Sequence, residues 1–64
     1  PVSFNINEKM QILKLSRRAH YEIYDSGSDL VMEDNGITID ISGLKKGDYV
    51  IYFDGREPAG FSKK

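Results

Sequence analysis

The chain has 64 residues and no cysteine, and its formal net charge is −1. This length fits one domain that buries only about 60% of its unfolded surface, and the lack of cysteine excludes disulfides and thiolate metal sites. No apolar run approaches the roughly 20 residues that a membrane-spanning helix needs. The N-terminal Pro1 is compatible with a short native protein that has lost its initiator methionine, or with a fragment of a longer chain.

The charges are segregated along the chain. Residues 1–18 contain four basic residues and one acidic residue, whereas residues 19–44 contain six acidic residues and no lysine or arginine. Residues 45–64 again have more basic than acidic side chains. A molecule with such a dipole can steer a charged partner, and the alternative is a mixed surface that interacts only with solvent.

The first third of the chain is predicted to form short strands. Apolar residues alternate with polar ones in residues 2–6, which predicts an edge strand, and a second strand is predicted for residues 10–15. Residues 16–18 are interpreted as a connection to a third strand, residues 19–24. A helix over residues 8–24 competes with these strands, because lysine, leucine and arginine favour helix.

Two turn signals follow in the middle of the chain. Asp25-Ser26-Gly27-Ser28 predicts a turn before a short strand, residues 30–32, because Asp and Ser cap the backbone and glycine allows positive φ. Asp34-Asn35-Gly36 predicts a hairpin turn, since Asn-Gly between apolar runs is the strongest short hairpin signal. Gly27 and Gly36 are therefore expected to be structural turn residues.

The fold is expected to be organised around two apolar runs. In residues 37–41 three isoleucines alternate with polar residues, which predicts a strand with one buried face. Residues 49–53 have no polar break, which predicts a strand covered on both faces at the centre of the sheet. Gly47 ends the connection between them and is predicted to have positive φ. We expect mutual packing and nearly full burial of Ile39, Leu44 and Ile51.

The C-terminal end completes the prediction of an all-β domain. Asp54-Gly55 predicts another turn, and residues 59–62 are predicted to form a last edge strand. Five or six short strands indicate a small antiparallel β-sandwich or barrel that occupies residues 1–64 as a single domain.

Two segments together carry a resemblance to a known family. They are residues 21–31, YEIYDSGSDLV, and residues 37–53, ITIDISGLKKGDYVIYF. This pair resembles the small immunoglobulin-like β-sandwich modules of Bacteroidetes surface and secreted proteins, which include the C-terminal sorting domains of type IX secretion. The resemblance implies a sandwich without catalysis, in which Gly27 and Gly47 serve turns and Leu44 plugs one end. It also implies a location at the cell surface or outside the cell, whereas a short native protein would be cytoplasmic.

Three groups of residues could carry chemistry. His20 beside Glu22, and near Asp40 on a neighbouring strand, could act as a general base, and the alternative is a half-exposed strand histidine. Asp25, Gly27, Asp29 and Glu33 are spaced somewhat like a calcium loop, but the glycine is at the wrong position and a capped hairpin turn explains them better.

Basic pairs at residues 17–18, 45–46 and 63–64 could contact a phosphate backbone. The sequence pI of about 5.7 lies well below the value of about 9 typical of nucleic-acid-binding domains. Solvated loop charges are the alternative interpretation of these pairs.

The turn-like segment LKKGDYV at residues 44–50 also resembles a turn of SH3-like barrels and swapped-hairpin transcription regulators.

The expected function is that of a non-catalytic protein-binding module, which acts through its surface and edge strands and needs no cofactor or metal. The proposed contact residues are Phe4 and Ile6 on the N-terminal edge strand, with Arg17 and Arg18 at its rim. The occupant of that edge is a protein partner or a second copy of the chain. One alternative is a small phage- or plasmid-type protein that binds and modulates a host protein, and another is a small nucleic-acid-binding β-barrel.

Overall fold

The computed structural model describes residues 2–56 and 58–64, which form five antiparallel strands in one curled, half-barrel sheet. The strands are β1 (Phe4–Asn7), β2 (Ile12–Asp25), β3 (Leu30–Asp40), β4 (Gly47–Phe53) and β5 (Pro58–Lys63). The predicted all-β antiparallel class is therefore confirmed. The competing helix over residues 8–24 is wrong, because β2 covers most of that range. Within the described residues, no helix is present that could cross a membrane.

The central strand is β2, which pairs with three others. Its N-terminal end pairs with β1, where Phe4 lies opposite Leu15, and its C-terminal end pairs with β4, where Ile51 lies opposite Ile23. β3 pairs along the other side of β2. Residues 49–53 form an interior strand between β2 and β5, as predicted. The strand with the most partners is nevertheless β2, because its 14 residues hold β1 and β4 end to end along one side.

The predicted connection at residues 16–18 is a part of β2. The register between β2 and β3 shifts between Lys14 and Ala19, and the intervening Ser16, Arg17 and Arg18 are exposed. Such an irregularity bends a strand and increases its local twist. The bend lets β2 leave β1 and continue toward β4, which curls the sheet.

The predicted hairpin turn at Asp34-Asn35-Gly36 is also wrong. These residues lie inside β3 and pair with residues 19–21 of β2, and the two strands predicted for 30–32 and 37–41 are one strand. Continuous pairing with β2 overrides the local turn preference of Asn-Gly. The turn that joins β2 to β3 is the one predicted around Gly27, although the residue with positive φ there is Ser28, with φ of 66°.

The core lies on one face of the sheet. Its four fully buried side chains are Leu13, Ile23, Ile39 and Ile51. The predicted burial of Ile39 and Ile51 is confirmed, but Leu44 is only partly buried, because it lies in the connection between β3 and β4 and packs against the core from outside the sheet. Of the β4 residues that point away from the core, Val50 and Tyr52 are half-buried and Asp48 is exposed, so β4 is covered mainly on one face.

Two predicted turn conformations are confirmed. Gly47 begins β4 with φ of 149°, in a region that side chains rarely adopt. Asp54 and Gly55 both have positive φ, and the Arg56 N–H donates to the Phe53 carbonyl over 2.9 Å. These are the dihedral signs of a type I′ turn, and the pairing of β4 with β5 resumes beyond it with Tyr52 opposite Pro58.

Candidate functional site on the outer face of the sheet

The face of the sheet opposite the core, called the outer face below, carries a group of polar and aromatic side chains. Ala19, Tyr21 and Ile23 of β2 point into the core, so the alternate residues of this strand point outward. The outward residues are His20, Glu22 and Tyr24. The register places Asn35 of β3 opposite His20, Glu33 of β3 and Tyr52 of β4 on either side of Glu22, and Val50 of β4 opposite Tyr24.

The His20 imidazole lies between two oxygen atoms of β3. Its Nε2 is 3.0 Å from Glu33 Oε2, and its Nδ1 is 3.2 Å from Asn35 Oδ1. Both oxygens accept hydrogen bonds, and the tautomer of the imidazole decides which of its two nitrogens donates to them.

A second carboxylate, that of Glu22, lies close to His20 Nε2 and to the Glu33 carboxylate. His20, Glu22 and Glu33 each offer one ligand atom, and these three atoms lie within 4.8 Å of one another. His20 and Glu22 are half-buried and Glu33 is exposed. The sequence hypothesis named His20 and Glu22 correctly as neighbours on one strand face. Asp40 is not among these neighbours, because it lies opposite Ile12, near the start of β2.

Glu33 is the functional candidate that the sequence reasoning did not place beside His20. β2 and β3 form one long hairpin, and their pairing keeps a single register from Ala19↔Gly36 to Ile23↔Met32. Centring that hairpin between Gly27 and Ser28 would have placed Glu33 opposite Glu22. The second turn prediction, at Asn35-Gly36, concealed this register.

An aromatic pair, Tyr24 and Tyr52, lies beside Glu22 on the outer face. The rings of Tyr24 and Tyr52 meet edge to face with centroids 5.6 Å apart, and the Tyr24 hydroxyl donates to Glu22 Oε1 over 3.5 Å. Desolvation and the neighbouring Glu22 carboxylate raise the pKa of Tyr24. Glu22 and both tyrosines line an open pocket of about 370 Å³, which continues the polar site toward β4.

The two apolar residues predicted to bind a partner, Phe4 and Ile6, lie on β1 and are half-buried against the core. The Phe4 ring centroid is 5.9 Å from that of Phe53 and 6.3 Å from that of Phe61. The side chains of β1 therefore help to close the half-barrel. Their role in partner binding stays a prediction.

The arginine pair lies in the bent part of β2. Arg17 Nη2 is 2.9 Å from Asp54 Oδ2, while Arg17 Nη1 donates to the Arg18 carbonyl. The His20 N–H donates to the other Asp54 oxygen over 3.2 Å. The hydrogen bond from Arg17 and that from the His20 backbone lower the pKa of Asp54. Arg17 thus ties the bend of β2 to the β4–β5 turn, and Arg18 is exposed.

The predicted calcium-like spacing is a capped turn. The Asp25 carboxylate accepts the backbone N–H of Gly27 over 2.9 Å and that of Asp29 over 3.0 Å. These hydrogen bonds occupy one carboxylate oxygen and fix the β2–β3 connection. They also confirm Gly27 as a turn residue, whereas Gly36 is a strand residue.

The outer edge of β3 is exposed. Within the described residues, β3 pairs with β2 alone, so its other edge faces solvent along 11 residues. Three apolar side chains of this strand are well exposed: Leu30 at 49%, Val31 at 39% and Ile37 at 39%.

A scan against protein-family models and searches of curated proteins and of solved structures found no match to this chain.

Proposed function

We propose that the chain is a non-catalytic protein-binding module whose docking element is the solvent-facing edge of β3. The observation that supports this proposal is the length of that edge, 11 residues paired on one side only within the described part of the chain. An edge strand presents a row of backbone donors and acceptors, and an extended segment of a partner can add to it as a further strand.

The side chains along β3 indicate the chemistry of the partner. Glu33, Asp34 and Asp40 are exposed, and residues 19–44 contain no lysine or arginine. The exposed apolar residues of the same strand would contact alternate apolar side chains of an added strand. The proposed partner therefore has an extended segment that alternates basic and apolar residues.

The same charges disfavour self-association through this edge. Two copies of β3 placed side by side would bring like-charged carboxylates together, which destabilises strand pairing. The N-terminal edge formed by β1 is the second candidate, because exposed Arg18 is available beside it. That edge offers less apolar surface, since Phe4 and Ile6 are already packed against the core.

The basic residues favour a protein over a nucleic acid as partner. Arg17 is held at Asp54, beyond the C-terminal end of β4, whereas Lys63 donates to the Leu44 carbonyl near the opposite end of that strand. A seven-residue strand separates these groups by about 20 Å. The basic pairs therefore do not form one continuous track. The sorting-module and host-modulator hypotheses both agree with the proposal, because each acts by binding a protein.

A peptide titration tests the proposed edge. The probe is a synthetic peptide that alternates valine with lysine, and its matched control alternates valine with glutamate. We expect NMR shifts and slower amide exchange in β3 with the lysine peptide and not with the glutamate peptide. Ile37→Lys should weaken this binding, while the double variant Arg17→Glu and Arg18→Glu should not. Absence of any effect in β3, or effects confined to β1, would contradict the proposal.

A further inference from the structure

The His20, Glu22 and Glu33 side chains on the outer face carry a second inference, which shares Glu33 with the β3-edge proposal but is tested separately. We propose that these three residues form a binding site for a divalent transition metal, with zinc as the best match. The ligands are His20 Nε2 and one carboxylate oxygen each from Glu22 and Glu33. Their proximity within 4.8 Å is the first observation that supports this site.

The backbone holds the three residues on a rigid platform. Glu22 and Glu33 lie directly opposite each other in the β2–β3 register, and His20 is two residues before Glu22 on the same strand. Opposite residues of an antiparallel pair have Cβ atoms about 4.5–5.5 Å apart, and residues two apart share a face. Ligands placed on paired strands are positioned more accurately than ligands placed on loops.

The second observation is the orientation of the imidazole. Asn35 Oδ1 lies 3.2 Å from Nδ1, so it can accept the proton of that nitrogen and leave the Nε2 lone pair facing the two carboxylates. Histidine ligands in metal sites commonly donate their other N–H to an oxygen in this way, which fixes the tautomer and the ring. The Tyr24 hydroxyl similarly reaches Glu22 Oε1 and can orient that carboxylate.

Charge favours an ion at the same point. Two carboxylates that converge on one position repel each other, and a divalent cation between them replaces repulsion by attraction. His20 Nε2 lies 3.0 Å from Glu33 Oε2, so the imidazole and that carboxylate already meet where the ion would bind.

The donor set selects the metal. Calcium prefers six to eight oxygen ligands and magnesium keeps several waters, whereas imidazole with carboxylates suits zinc. Bonds of about 2.0–2.2 Å place tetrahedral zinc ligands about 3.3 Å apart. The exposed Glu33 and half-buried Glu22 side chains can reach that spacing by small rotations. Three protein ligands leave a fourth coordination position for water.

The test is a titration of the full chain, without an affinity tag, by zinc chloride in a calorimeter. Zinc should bind with one-to-one stoichiometry, and cobalt should give the visible absorption of a low-coordinate nitrogen–oxygen site. His20→Ala and Glu22→Gln should each weaken zinc binding at least about tenfold. Glu8→Gln, a change of the same type at an exposed residue near Lys64, should leave zinc affinity unchanged.

Each outcome of the titration decides the proposal. Circular dichroism establishes that the variants remain folded, and a zinc-dependent shift of the His20 ring nitrogens in NMR spectra locates the ion. Equal zinc affinity of the parent chain and of His20→Ala would overturn the site, as would a dissociation constant weaker than about 1 mM. Ile37→Lys should bind zinc normally, so failure of the β3-edge proposal and failure of the metal site are distinguishable.

Discussion

The inner and outer faces of β2 differ in what their side chains do. On the inner face, Leu13 and Ile23 are fully buried and pack with Ile39 and Ile51 of the neighbouring strands. On the outer face, the side chains of the same strand contact polar groups: His20 faces Glu33, and Glu22 accepts the Tyr24 hydroxyl. Residues only one position apart therefore belong to different environments.

This difference indicates how a small domain can separate stability from binding. A chain of this size has one thin core, and nearly all its apolar burial lies on the inner face. The outer face contributes exposed hydrogen bonds and ion pairs, which add little to the free energy of unfolding. Substitutions on the outer face can therefore alter the binding of a ligand without unfolding the chain.

The largest effect is expected for the inner face of β4. Ile51 is fully buried, so Ile51→Ala removes apolar contacts and leaves a cavity that should cost about 2–5 kcal/mol. For a domain this small, that loss is enough to unfold a large share of the molecules. Urea denaturation followed by circular dichroism measures it, and a native-like unfolding midpoint would contradict the assigned core.

A smaller loss is expected at the start of β4, where the backbone rather than a side chain is constrained. Gly47 has φ of 149°, so Gly47→Ala should cost more than about 1 kcal/mol through backbone strain, although nothing lies within 4 Å of the added Cβ. Gly43→Ala is the matched control, because Gly43 has equally open space and no positive φ. Equal melting temperatures for the two variants would refute the assigned strain.

A still smaller, pH-dependent effect is expected at the bend of β2. The hydrogen bond from Arg17 lowers the native pKa of Asp54 below its unfolded value of about 3.9, so the ionised carboxylate stabilises the fold above that value. This contribution is lost as the pH falls through the lowered native pKa. Arg17→Gln should therefore reduce the urea midpoint at neutral pH and approach the parent midpoint in acid.

The control for this prediction is Arg18→Gln, which removes an exposed arginine from the same bend without removing the contact to Asp54. Its urea midpoint should follow that of the parent chain at every pH. A difference between Arg17→Gln and the parent that stayed constant from neutral to strongly acidic pH would show that the Asp54 carboxylate is not responsible.

Local sequence signals predicted the parts of the fold that depend on neighbouring residues. Alternation located the buried Ile39, the unbroken apolar run at residues 49–53 located Ile51, and the Asp54-Gly55 pair located the β4–β5 turn. The length of β2 was missed because Ser16, Arg17 and Arg18 are consecutive polar residues. They interrupt the alternation of apolar and polar residues that predicts a strand. The residues of β2 on either side of them pair with strands distant along the chain, and this pairing holds Arg17 and Arg18 within one strand.

The candidate site could be predicted only in part for the same reason. His20 and Glu22 were recognisable because two residues on one strand face require no knowledge of strand pairing. Glu33 required the β2–β3 register, which the Asn35-Gly36 turn signal obscured.

The most direct test of this separation compares two adjacent residues of β2, Glu22 and Ile23, by urea denaturation of Glu22→Ala and Ile23→Ala without metal. Ile23 is fully buried, so Ile23→Ala should lose about 2–5 kcal/mol of unfolding free energy, whereas Glu22→Ala should stay within about 0.5 kcal/mol of the parent chain. Similar losses in the two variants would contradict the assignment of stability to the inner face of the sheet.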